Sequence, residues 1–188
     1  MTIPSKTDAK LLDVPCDLIA AKLAARLSWL DNAYGKCETY IEGKGRERSV
    51  YPVIFTGGNT GRKMLKLLPD NKLGNFCFID TADSQKISIT GGGIQVECPI
   101  EIIFWFDYRK IYADDQNRTI ENVKFEVLDA LRYGVPNVVI ELNSMKINEG
   151  DFNIYKNYDK LEAIKGYLKR PYGGFSVSTT IIYQELCS

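Results

Sequence analysis

The feature that most constrains this chain is a strict two-residue alternation near its C-terminus. Phe175, Val177, Thr179, Ile181 and Tyr183 are interleaved with Ser176, Ser178, Thr180 and Gln184. A period of two is that of a strand with one face buried and the other wet. A second run, over 100–112, sets Ile100, Ile102, Phe104, Phe106 and Tyr108 on one side and Glu101, Ile103, Trp105, Asp107 and Arg109 on the other. The second side of this strand is not cleanly polar. Ile103 and Trp105 would lie exposed beside each other, so a cover is expected over them, either a helix of this chain or another subunit.

Two helices accompany these strands. The first is opened by Asp13 and Pro15, carries Ile19, Leu23, Leu27 and Leu30 as one apolar stripe, and is closed by 32–35. The second is capped by Asn117 or Thr119, buries Ile120, Val123, Val127, Leu128 and Leu131, and stops at Gly134 and Pro136. Strands at 37–41 and 50–55 form a hairpin with a charged tip, and 56–61 is glycine-rich, followed by a short helical turn over 62–68. Further short strands are expected at 75–79, 85–90, 94–98 and 137–142, with Gly91-Gly92-Gly93 supplying the turn between the second and third. Strands and helices do not alternate regularly. The pattern therefore predicts an α+β fold, a mainly antiparallel sheet with two principal helices packed on one face. A length of 188 residues suits a single domain, 1–188, with extended loops at 43–49 and 56–63 and an arm at 144–171 that includes short helical pieces around 152–158.

Composition excludes several functions. Lys and Arg number 24 and Asp and Glu 24, so no overall field draws the chain to nucleic acid or to an anionic membrane. The five cysteines, Cys16, Cys37, Cys77, Cys98 and Cys187, are an odd number without a Cys-x-x-Cys pair. That argues against a zinc site and a disulfide framework and fits a reducing, intracellular setting. No apolar run approaches the ~20 residues of a membrane span, and the first ten residues lack the apolar centre of a signal peptide. There is no histidine, which removes every Ser-His or Cys-His relay within the chain.

The remaining chemistry is thin. Thr56-Gly57-Gly58-Asn59-Thr60-Gly61-Arg62-Lys63 stands where a phosphate cradle would stand, but Arg62 takes the place of the P-loop lysine and Lys63 that of the hydroxyl. Asp80, Asp83, Asp107, Asp114 and Asp115 could hold a hydrolytic metal. Yet no strand offers the acid-x-lysine step of a metal-dependent nuclease, Asp107-Tyr108-Arg109 being the nearest, and strand ends and helix caps account for these acids. Arg46, Arg48, Arg62 and Lys63 on two loops, and Lys165, Lys169 and Arg170 on a third, are either solvated tips or a surface that meets a phosphate backbone or an acidic subunit. Tyr155, Tyr158, Tyr167 and Tyr172 mark the irregular stretch before the last strand, and tyrosine favours protein interfaces. Residues 144–171 are accordingly read as an arm contacting another subunit. No catalytic, cofactor-binding or metal-binding residue can be assigned, so the chain is read as a non-enzyme, with a metal-dependent nuclease or phosphate-handling enzyme as the alternative.

The order of elements resembles that of the tail-terminator and neck-ring proteins of tailed bacteriophages, including crAss-like phages of Bacteroidales. The resemblance rests on the N-terminal helix at 17–30, the hairpin with a long charged tip, the strand Ile100-Glu101-Ile102-Ile103-Phe104-Trp105-Phe106 leading to the helix at 120–131, and the strand after Pro171-Tyr172-Gly173-Gly174-Phe175. It implies a tail-terminator-like fold and a structural subunit without cofactor. It also implies a closed ring of six or twelve copies at the head-tail junction of the virion, made in the host cytoplasm, beside portal, neck-ring or tail-tube proteins and around the passing genome DNA. Ile103, Trp105, Arg46, Arg48, Arg62, Lys63, Tyr155, Tyr158, Tyr167 and Tyr172 are the expected subunit interface. A net charge of zero suits a channel that must not grip DNA.

Overall fold

The computed structural model describes residues 11–43, 48–55, 64–69, 72–90, 93–114, 119–158 and 170–185. Its centre is the strand β7 (Gly93–Asp107), which pairs along its whole length with the C-terminal strand β10 (Tyr172–Glu185), Phe175 opposite Phe104 and Ile181 opposite Cys98. The 100–112 alternation expected as a separate strand is thus the second half of a 15-residue strand that passes through Pro99. Proline is tolerated there because its carbonyl accepts from the Ala82 N–H on the side away from β10. Its missing N–H therefore faces the gap between the two strands that share that flank. Those strands are β5 (Phe76–Thr81) and β6 (Lys86–Thr90), both antiparallel to β7.

With β1 (Asn32–Lys36) and β8 (Val138–Ile140) at its edges, the large sheet runs β1-β5-β7-β10-β8, with β6 beside β7 and β9 (Lys146–Asn148) beside β10. All pairings are antiparallel except that of β1 with β5. A smaller antiparallel sheet is built of β2 (Glu38–Glu42), β3 (Ser49–Phe55) and β4 (Met64–Lys66). The helices α1 (Asp13–Arg26) and α3 (Ile120–Arg132) lie on one face of the large sheet, over Cys77, Ile79, Ile102, Phe104, Phe106, Phe175 and Val177. The other face carries the small sheet, through Ile54 and Leu67, and the segment around α4 (Asp151–Ile154). The short α2 (Tyr108–Ile111) ends β7, with the Asp107 carboxylate accepting from the Arg109 N–H. The expected α+β architecture, with two helices on one face, is observed.

Three differences have local causes. The first helix stops at Arg26 rather than Leu30 because Leu27 is extended and turns Trp29 inward. There its indole donates to Glu126 at 2.8 Å and meets Phe106 edge-on. Residues 32–35, expected to close the helix, instead belong to the parallel edge strand β1, on which α1 sits directly. A Cβ on Gly35 would lie 2.0 Å from the Asp17 carboxylate, so the bare glycine permits the approach. The helical turn expected at 62–68 is instead strand β4 where described, held by pairing with β3 and by Lys66, which lies over the Tyr51 ring and donates to Glu42 at 2.7 Å.

Candidate functional site

The second face of the large sheet collects most of the residues singled out from the sequence. On β7 the odd residues Ile103 and Trp105 point there, and β5 adds Phe76 and Phe78. Trp105 is 5.7 Å from Phe76 and stacks on Tyr172 at 5.3 Å, while Tyr155 lies 5.9 Å from Phe78. All of them but Tyr172 are buried. The expected subunit interface is therefore corrected at four positions. Ile103, Trp105, Tyr155 and Tyr158 cover one another inside one chain, the cover being a small sheet and the segment 154–158, which begins in the short helix α4, rather than a second subunit. Tyr172 is half-buried and Arg48 exposed. Arg46, Arg62, Lys63 and Tyr167 lie outside the described residues, as do 44–47 and 56–63 of the two loops. The arm is corrected in its first half too. Residues 146–148 pair with β10, and Tyr155 and Tyr158 are core; 159–169 lie outside the described residues.

Beside this aromatic layer is a polar seam that the sequence did not announce. Asp80 and Glu101 stand directly opposite each other on β5 and β7, an arrangement of like charges that is unfavourable unless compensated. The compensation comes from consecutive residues after α4. Lys156 pairs with Glu101 at 2.8 Å, Asn157 donates to Asp80 at 3.0 Å, and the Tyr158 hydroxyl meets the Cys37 sulfur at 3.3 Å. On its other side Glu101 accepts from the Ser176 hydroxyl at 2.5 Å, and Asn148 spreads its amide over Glu101, Ser176 and Ser178. These groups border a cleft of about 330 Å³ lined by Asp80, Thr81, Pro99, Glu101, Lys156 and Ser178. Every polar group of the seam is engaged by another, so its chemistry is that of a clasp holding 156–158 to the sheet. Glu101→Ala should lower the unfolding free energy by about 1–3 kcal/mol, because the buried Ser176 hydroxyl loses its acceptor. Lys156→Ala, removing a half-exposed partner, should cost about 1 kcal/mol or less. Denaturant unfolding of both variants checks the contrast, and equal losses would contradict it.

The other candidate groups do not converge. Asp107 sits near the far end of β7, where Arg109 grips it with contacts of 2.7–3.2 Å. Burial raises its pKa, but the Arg109 contacts outweigh this and hold the carboxyl below its ordinary value. Asp83 and Asp114 are exposed elsewhere, and Asp115 lies outside the described residues. Among the described residues no group of three or more acids or cysteines could hold a metal ion. The four described cysteines are buried free thiols. Burial pushes the Cys37 thiol up to about 12 and raises Cys16, Cys77 and Cys98 as well, the opposite of an activated nucleophile.

What the surface does offer is apolar side chains at two sheet margins. On β6, Ile87 and Ile89 are 62 % and 82 % exposed, and on β8 (Val138–Ile140) Val139 is 60 % exposed. Among the described residues β6 pairs only with β7, and β8 pairs as a strand with β10 alone, Val138 adding a single bridge to Val135. The alternation Lys86-Ile87-Ser88-Ile89-Thr90 marks a half-buried strand in the sequence. Its exposure follows from the position of β6 beyond the end of β5, which no local pattern encodes. No helix among the described residues is long and apolar enough to cross a membrane. Neither a family model nor a curated protein matches this chain.

Proposed function

We propose that the protein is a structural subunit of a phage head-tail connector or tail-terminator ring, non-enzymatic and self-assembling around the DNA channel of the virion neck. The observation that carries this reading is the pair of apolar, singly paired strand margins at opposite flanks of one sheet, β6 with Ile87 and Ile89 and β8 with Val139. Exposed apolar strands at a sheet edge invite pairing with another chain. Two different margins on one subunit suit a head-to-tail contact, which closes into a ring when the rotation per step divides a full turn. The order of elements supports the same reading, as does the chain's formal net charge of zero, which gives it no overall attraction for DNA. Portal, neighbouring neck-ring and tail-tube proteins are the partners it would meet. Native mass spectrometry of the purified full chain, and of particles assembled with a portal or tail tube, tests the proposal. Six or twelve copies per closed assembly is the expected result; a protein that stays monomeric and never joins particles would overturn it.

A further inference from the structure

At the level of β6 the large sheet is four strands wide. Cα partners run across it in a row, Ile87 to Val96 to Tyr183 to Val138. Each neighbour is antiparallel to the last, so the outer strands β6 and β8 run in opposite directions. A second copy set beside the first in the same sense therefore brings its β6 antiparallel to the first copy's β8, with no turn of the subunit required. The faces also agree. Ile87 and Ile89 lie on the helix-bearing face, as do Val138 and Ile140; Lys86 lies on the other face with Glu97, Ile182 and Val139.

We infer that β8 of one copy pairs with β6 of the next, in the register that sets Ile140 against the next copy's Ile87, Val139 against its Ser88 and Glu141 against its Lys86. This rests on the ring reading and names the surface that would close the ring. Three observations select the register. A slip of one residue turns Ile87 and Ile89 to the wrong face. A slip of two sets Ile140 against Gln85 or Glu141 against Ser88, and either way the Glu–Lys opposition is lost. In the chosen register apolar meets apolar on the helix-bearing face, and Lys86, already 3.1 Å from Glu97 of its own chain and 71 % exposed, stands between two carboxylates.

The backbone of β8 agrees with this register. The Glu141 N–H donates to Thr180 of β10 at 2.9 Å, and alternate residues point their backbone groups to opposite sides. Those of Ile140 and Val138 therefore point outward. Val138 is already capped by the Val135 carbonyl at 3.1 Å, which leaves Ile140 as the start of the new ladder and Val135 as the surface against Ile89. A ladder this short gains little alone, and repetition around a closed ring supplies the avidity.

Directly opposed residues of an antiparallel ladder lie about 4.5–5.5 Å apart at Cα, within reach of a disulfide. The test is mild oxidation of the full chain carrying Ser88→Cys and Val139→Cys together, with each single variant beside it, all in a Cys187→Ser background, read on a non-reducing gel. The double variant is expected to form covalent multimers of three or more chains while both single variants remain single chains. Dimers from S88C alone would mean that β6 pairs with itself about a two-fold axis, and would overturn the inference. No cross-link in a double variant that still assembles by mass would overturn it too, while leaving the ring to another surface. No cross-link and no assembly by the wild-type protein would sink both readings. Circular dichroism matching the wild type confirms that the variants are folded.

Discussion

Trp105→Ala should lower the unfolding free energy by about 3–5 kcal/mol, the range for truncating a large aromatic side chain in a core. For a chain of this size that is a fall in melting temperature of about 10 °C. Trp105 is 1 % exposed near the C-terminal end of β7, between Phe76 on one side and the stacked ring of Tyr172 on the other. Alanine would remove one of the largest side chains in the second core and leave a void bordered by rings that are themselves fixed by Phe78 and Tyr155. Trp105→Phe keeps a ring between these neighbours and should lose less. The same pair of variants discriminates between the two covers expected for this position. A tryptophan buried by another subunit would leave the stability of the single chain intact and reduce the assembly mass instead. Denaturant unfolding at low protein concentration reads the first outcome and native mass spectrometry the second; an unfolding loss below about 1 kcal/mol would show that this core does not depend on Trp105.

The contrast between Trp105 and Ile87 shows what was legible in the sequence. The alternation of 175–183, the helix over 120–131 and its Thr119 cap are local patterns, and each is found where its pattern sets it. For the first 100–112 face the alternation also picks out the buried side chains. The mixed second face of that strand correctly signals a cover, but the identity of the cover depends on contacts between residues far apart in the chain. Tyr155 reaches Leu67 and Phe78, and Lys156 reaches Glu101. Nothing within 144–171 distinguishes a tyrosine packed on its own sheet from one offered to a neighbour, because the same rigid apolar body and polar tip serve both. Strands β1, β4 and β9 carry no local pattern for a related reason: each is three to five residues long and exists through its partner strand. Conversely, Ile87 and Ile89 read as ordinary half-buried strand residues, and only the end of β5 at Thr81, short of them, leaves that flank open.

Asn75→Ala should cost about 2–5 kcal/mol, more than its size suggests, because two buried backbone groups lose their only side-chain partner at once. Asn75 is fully buried immediately before β5. Its amide nitrogen donates to the Trp29 carbonyl at 2.9 Å, and its amide oxygen accepts from the Asp107 N–H at 2.8 Å. Its own backbone is fastened to Asp31, the N–H donating to the carboxylate at 2.8 Å and the carbonyl accepting from Asp31 and Asn32. From its place just before β5, this residue thereby joins the turn after α1 to the last residue of β7. Asn75→Asp separates the two halves of the effect. An aspartate still accepts from Asp107 but, ionised, cannot donate to Trp29 and carries an unsolvated charge. Burial should raise its folded-state pKa above the unfolded value of about 3.9. Between the two values the folded state binds the extra proton, so stability rises as pH falls through that window. The deficit of Asn75→Asp relative to wild type should accordingly shrink between pH 7 and pH 4, while that of Asn75→Ala stays constant. Urea titrations at several pH values read both trends. A pH-independent Asp variant, or an Ala variant within 0.5 kcal/mol of wild type, the scatter of an ordinary surface substitution, would mean that this polar hub does not hold the turn after α1 to the end of β7.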